Sequence, residues 1–172
     1  MYIKPLLVLS FLIVFASCKK TQENIKENQT EQNKTEDITE QDVAKLKYVE
    51  YILDSKTIEI VEDWPEYLQL EEVVTNIKKG DLTYFKDNEK VVKLLTRELK
   101  SNIPNSLKSE SILSRVLVLN TKLLQLESLS NLTTTSKEEL LQTIKEFLVS
   151  FSNLSFQMNK KIEFDNRTIT KP

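Results

Sequence analysis

Few side chains in this sequence are placed to do chemistry, and those few sit on helical faces. Arg115 lies at the edge of an apolar arc formed by Ile112, Val116, Leu119, Leu123 and Leu126. A guanidinium there can clamp a carboxylate in a bidentate fork. The preferred reading pairs it with an acidic residue of a neighbouring helix while its methylenes cover the core. Asn120 falls inside the same arc, about 80° from Ile112 at 100° per residue. Ser155 and Asn159 fall inside a second arc, that of Leu140, Ile144, Phe147, Phe151, Leu154 and Met158. Three polar groups on buried faces can line a pocket for a small anionic or polar molecule. The simpler expectation is a hydrogen-bonded layer that fixes helix register, because a buried amide costs stability unless it is paired.

Other candidates are weaker. Trp64, the single tryptophan, and Tyr67 read equally well as an exposed anchor and as packing at a helix start. Glu71-Glu72 and Glu138-Glu139 are adjacent on helices and point apart, which suits solvated faces rather than an acid/base pair. Lys160-Lys161 can touch anionic headgroups, but complementing a helix dipole is sufficient reason for them.

What the chain lacks excludes much. It has 172 residues, enough for one domain of ordinary size, with no histidine and one residue each of glycine, cysteine and tryptophan. Without imidazole there is no Ser-His-Asp or Cys-His nucleophile and no histidine metal ligand. A phosphate-cradling loop needs several positions free of a Cβ, and Gly80 stands alone. A lone cysteine makes neither an internal disulfide nor a cysteine-rich zinc site. The formal net charge of −2 and pI near 5.4 offer no basic footprint for nucleic acid. No cofactor, metal or catalytic activity is expected.

The N-terminus places the protein. A basic start with Lys4 leads into an apolar run over 6–15, broken only by Ser10, followed by Ala16, Ser17 and Cys18. This is the build of a secretory signal peptide over residues 1–17. About a dozen apolar residues at 1.5 Å rise fall short of the ~30 Å hydrocarbon core. The tetrad Phe15-Ala16-Ser17-Cys18 resembles the lipobox of bacterial lipoproteins, with Phe15 where that family usually has leucine. The resemblance covers residues 1–18 and puts the only cysteine at the modified position. It implies a diacylglyceryl group on the Cys18 thiol, cleavage before Cys18 and acylation of the new amine. An ordinary cleaved signal with a free thiol, or an uncleaved anchor, is the alternative. Two or three acyl chains hold a protein stably in a membrane. Lys19-Lys20 in place of an aspartate favours the outer membrane. The lack of an acidic cluster after the cysteine favours its periplasmic face.

Residues 18–40 then carry only Ile25 and Ile38 as large apolar side chains, too little to offset ordering entropy, and read as a flexible tether. Residues 41–164 read as helices. Val43, Leu46, Val49 and Leu53 predict a first helix from Gln41 through Ile60, and alternation over 57–62 offers a short strand as a competitor. Asp63-Trp64-Pro65-Glu66 signals a second start with Asp63 as cap, and Lys78-Lys79-Gly80 its stop. Asp81 is expected to open a third helix to Ser101, with an interruption near Asp87-Asn88, and Pro104 breaks the chain after it. The two arcs named above predict the last two helices, the final one opened by a capping box from Ser136 to Glu139.

Seven-residue-type repeats joined by a short turn predict an antiparallel hairpin. The whole is expected to be an all-α, antiparallel four- to five-helix bundle with a loose tail over 165–172. The function expected is that of a lipid-anchored module of the bacterial cell envelope, an interaction or scaffold domain. It would be bound to the membrane through Cys18 and to an envelope protein through its helices. A periplasmic small-ligand-binding or sensor bundle is the alternative, and an enzyme of unfamiliar type a second one.

Overall fold

The longest apolar repeats make the longest helices. In the computed structural model, which describes residues 37–167, the chain runs α1 (Glu40–Ala44), α2 (Ser55–Val61), α3 (Pro65–Lys78), a 3₁₀ turn (Thr83–Phe85), α4 (Glu89–Ser101), α5 (Glu110–Ser130) and α6 (Lys137–Asp165). The described residues are all-helical, with no strand among them. The signal segment, Cys18, residues 19–36 of the tether and residues 168–172 lie outside the described residues.

Helices α5 and α6 pack along one another more extensively than any other pair, and α4 packs on α5. All five residues of the first arc are fully buried on α5. On α6, Leu140, Ile144, Phe147, Leu154 and Met158 are buried, and Phe151 is half-buried against the same core. The caps use short hydroxyls: Ser109 Oγ accepts from the Ile112 N–H at 3.4 Å, and Ser136 Oγ from the Glu139 N–H at 3.1 Å.

Helix α3 stops as Lys78-Lys79-Gly80 suggests. The Gly80 N–H donates to the Ile77 carbonyl at 2.9 Å and the Asp81 N–H to the Asn76 carbonyl at 3.0 Å, while Gly80 sits at φ +79°. These two bonds close a Schellman motif, which needs the left-handed conformation that glycine adopts without a Cβ penalty.

Several expectations are corrected. The single helix from Gln41 through Ile60 is two short helices joined by residues 45–54, which leave helical geometry. That stretch carries Tyr48, Val49, Tyr51 and Ile52, side chains that lose rotamer freedom in a helix. Its backbone finds partners on α6 instead. The competing strand at 57–62 does not form, because 55–61 is α2.

Asp63 does not cap α3. Trp64 occupies the cap position with no side-chain bond, its ring fully buried, and Pro65 takes the first helical position as expected. Asp81 does not open a helix either. Its carboxylate accepts from the Thr83 N–H at 2.9 Å and the Thr83 hydroxyl at 2.7 Å, which closes a local turn. The expected interruption is the true boundary: Asp87 sits at φ +52° and α4 begins at Glu89.

The end of the tether belongs to the folded body. Ile38 packs against the core, and Thr39 and Asp42 form a reciprocal capping box at the start of α1. Asp42 also meets Lys137 at 2.8 Å, tying α1 to the first turn of α6. The Lys137 ammonium, and then the Thr39 hydroxyl, hold the Asp42 carboxyl down from its usual 3.8 to about 2. A depressed carboxyl stabilises the fold above its unfolded pKa, and the contribution is lost as pH falls from about 4 through about 2. Acid titration of the wild type against Asp42→Asn is therefore expected to show a stability difference at pH 6 that has mostly gone by pH 2. Parallel curves across that window would refute the pairing.

Candidate functional site

The four polar residues singled out on the last two helices do not converge. Asn120 is buried on α5, and its Nδ2 donates to the Thr96 carbonyl of α4 at 2.7 Å. Its Oδ1 is buried with no hydrogen-bond partner among the described residues. Ser155 Oγ lies 3.3 Å from the Tyr67 hydroxyl of α3 and donates back to the Phe151 carbonyl at 3.3 Å. Asn159 reaches residues 45–54: its Nδ2 donates to the Ile52 carbonyl at 2.8 Å, and its Oδ1 accepts from the Asp54 N–H at 2.9 Å. Asn120, Ser155 and Asn159 thus each stitch a long helix to a different element, and the expected mutual layer is not formed.

Sequence reasoning missed a further residue that does the same. Ser152 Oγ donates to the Val49 carbonyl at 2.8 Å and accepts from the Tyr51 N–H at 2.8 Å. Ser152, Ser155 and Asn159 follow one another at steps of three and four, so they form a polar stripe on one face of α6. That spacing was the available signal. Ser152 and Asn159 each supply one donor and one acceptor to the passing main chain, as a paired strand would.

Outside this clasp the segment turns apolar side chains to water: Val49 is 65 % and Ile52 79 % exposed. The Tyr51 ring packs on Phe156 with centroids 4.7 Å apart, and the Lys160 ammonium sits 5.7 Å from the Phe156 centroid.

Trp64 and Tyr67 are both fully buried, which removes the reading as an exposed anchor. They stack at 5.5 Å, and Tyr67 stacks in turn on Phe151 at 5.7 Å. Burial pushes the Tyr67 hydroxyl upward and also raises Glu71 one turn on. Lys160 pairs with Glu163 at 2.6 Å and Lys161 with Asp165, both along α6.

Arg115 is exposed on α5, and no acidic side chain among the described residues pairs with it. The interhelical pairing expected of it is made by Lys122 instead, whose ammonium meets Glu146 of α6 at 2.7 Å. Arg115 lines a cavity of about 250 Å³ between α5 and α6, together with Val118, Lys122, Lys145, Val149 and Asn153.

Among the described residues no group of three or more acidic or cysteine side chains is arranged to hold a metal ion, and no helix is long and apolar enough to cross a membrane. No known family, curated protein or solved structure matches this chain.

Proposed function

We propose that this chain is a lipid-anchored protein of the bacterial cell envelope, an antiparallel helical bundle that acts as an interaction or scaffold module without catalysis. The carrying observation is the tetrad Phe15-Ala16-Ser17-Cys18. It follows a basic, then apolar leader and contains the only cysteine of the chain.

The shape of the domain fits that role. Helices α5 and α6 are joined by a short turn and share one continuous apolar seam, which favours an antiparallel pair. The polar residues 19–36 give a reach of roughly 20–25 Å if they behave as a flexible coil. Val49 and Ile52 are the kind of water-exposed apolar side chains that a protein partner covers. Lys19-Lys20 after the cysteine supports the outer membrane as the address, and the lack of an acidic cluster there supports its periplasmic face.

Growing cells on radiolabelled palmitate tests the anchor. The wild-type chain is expected to take up label and to begin at an acylated Cys18 by intact mass, whereas Cys18→Ser takes up none. A wild-type product without acyl mass, or one beginning at another residue, overturns the proposal.

A further inference from the structure

The groove between α5 and α6 has a charge balance and a lining that suit one kind of occupant. Register follows from the Lys122–Glu146 pair, which puts these two residues opposite one another. Arg115 lies seven residues before Lys122 on α5, and Asn153 seven residues after Glu146 on α6. Each is therefore about 10 Å along its helix from the pair. Both line the same cavity, so one end of the groove holds a guanidinium and an amide and the other holds the ion pair with Lys145. Val118, 49 % exposed, and half-buried Val149 make the apolar stretch between them.

Three cations face one carboxylate in this groove, and the carboxylate is already committed to Lys122. Arg115 and Lys145 have no acidic partner, and the Asn153 amide has no hydrogen-bond partner among the described residues. The free donors are thus a planar fork, an ammonium and an amide beside a water-exposed valine. A guanidinium is more weakly hydrated than an ammonium and matches the two oxygens of a carboxylate. An apolar wall beside it lowers the local dielectric, which strengthens that contact.

We propose that this groove binds a small organic carboxylate, with the carboxylate on Arg115 and Asn153, the apolar body on Val118 and Val149, and Lys145 adding positive potential. With a volume of about 250 Å³, the groove suits a body on the scale of an aromatic or short-chain acid. A bare inorganic anion leaves the valines uncovered, and an amine of the same shape meets like charge. The site stands apart from the lipid anchor: it survives if Cys18 is unmodified, and the anchor survives if the groove is empty.

The test is ligand-observed fluorine NMR with 4-fluorobenzoate and the full-length chain in detergent, the same detergent without protein serving as the blank. Saturable line broadening is expected, displaced by benzoate and not by benzylamine, acetate or inorganic phosphate at equal concentration. Arg115→Gln and Val118→Asp are each expected to weaken binding at least tenfold. Arg115→Lys is expected to retain part of it, since a charge without the fork remains. Arg115 is exposed and makes no ion pair among the described residues, so circular dichroism and Tm of its variants should match the wild type and separate loss of binding from loss of fold. Absence of saturable broadening, equal displacement by benzylamine, or wild-type affinity in Arg115→Gln overturns the proposal.

Discussion

Gly80→Ala is expected to destabilise the fold by about 3 kcal/mol, with a fall in Tm of roughly 10 °C. Two independent penalties meet at this residue. Its φ of +79° lies in the left-handed region, where an L side chain is strained. The space is also taken: a Cβ there would stand 2.7 Å from the carbonyl carbon of Thr39, 2.8 Å from the Ile38 oxygen and 2.9 Å from the Glu40 nitrogen. All three are backbone atoms, so no rotamer change relieves the clash. The Thr39–Asp42 capping box and the Asp42–Lys137 ion pair fix that backbone in turn. The substitution must therefore either open the Schellman cap of α3 or push α1 off the body. Lys79→Ala, one residue earlier at φ −82°, changes neither term and should stay within about 0.5 kcal/mol of wild type. Urea unfolding of the two variants side by side decides the matter. A Gly80→Ala midpoint indistinguishable from that of Lys79→Ala would mean that the crossing of 38–40 over 80 is not part of the stable fold.

This crossing shows how far the sequence was legible. That Gly80 ends a helix follows from its type and from the two lysines before it, because the cap is a local motif. That it also lets another segment pass is a tertiary fact, set by where Ile38 packs. The same division runs through the molecule. The arcs of α5 and α6 were readable since each residue that fits the period is apolar and each enters the core, so local and global demands agree. Residues 45–54 misled because the period of Val43, Leu46, Val49 and Leu53 fits a helix, while the partners that draw the backbone out of it lie about a hundred positions away on α6. Asp81 misled for the opposite reason: a side chain able to cap a helix spent its carboxylate on Thr83 two residues on.

The candidate site divides likewise. That Arg115 sits at the rim of its arc, and that Asn120 and Ser155 are buried, followed from angle alone. The partners of Asn120, Ser155 and Asn159 did not, because Thr96, Tyr67 and Ile52 belong to elements whose placement a single helical wheel does not contain. Arg115 was expected to find an acid across the interface, but the acid at hand, Glu146, lies two turns further along and is taken by Lys122. An arginine left over in this way is what makes the groove a site and not merely a seam.

Removing the polar stripe of α6 is the second substitution with a large expected effect, and its effect is local. Ser152→Ala deletes the bonds to Val49 and Tyr51, and Asn159→Ala those to Ile52 and Asp54. Each hydrogen bond contributes between about 0.5 and 1 kcal/mol net, so the double variant, which loses four, should lower the opening free energy of residues 49–54 by roughly 3 kcal/mol. The two positions are seven residues apart, about 10 Å, and share no partner, so their effects should nearly add. Native-state hydrogen exchange reads this directly, since the Tyr51 and Asp54 N–H groups themselves lose their acceptors. Their exchange should quicken about tenfold in either single variant and about a hundredfold in the double. The amides of Leu119 and Leu123, deep in the core on α5, should hardly change. The competing holdfast is apolar: Tyr51 lies on Phe156, and Leu46, Tyr48 and Leu53 pack partly into the core. If Tyr51 and Asp54 exchange at wild-type rates in the double variant, those contacts fasten the segment and the stripe is incidental. If they exchange a hundredfold faster while α5 stays protected, the polar stripe is the receptor for residues 49–54, and Ser152 and Asn159 set how often Val49 and Ile52 are presented to a partner in this conformation.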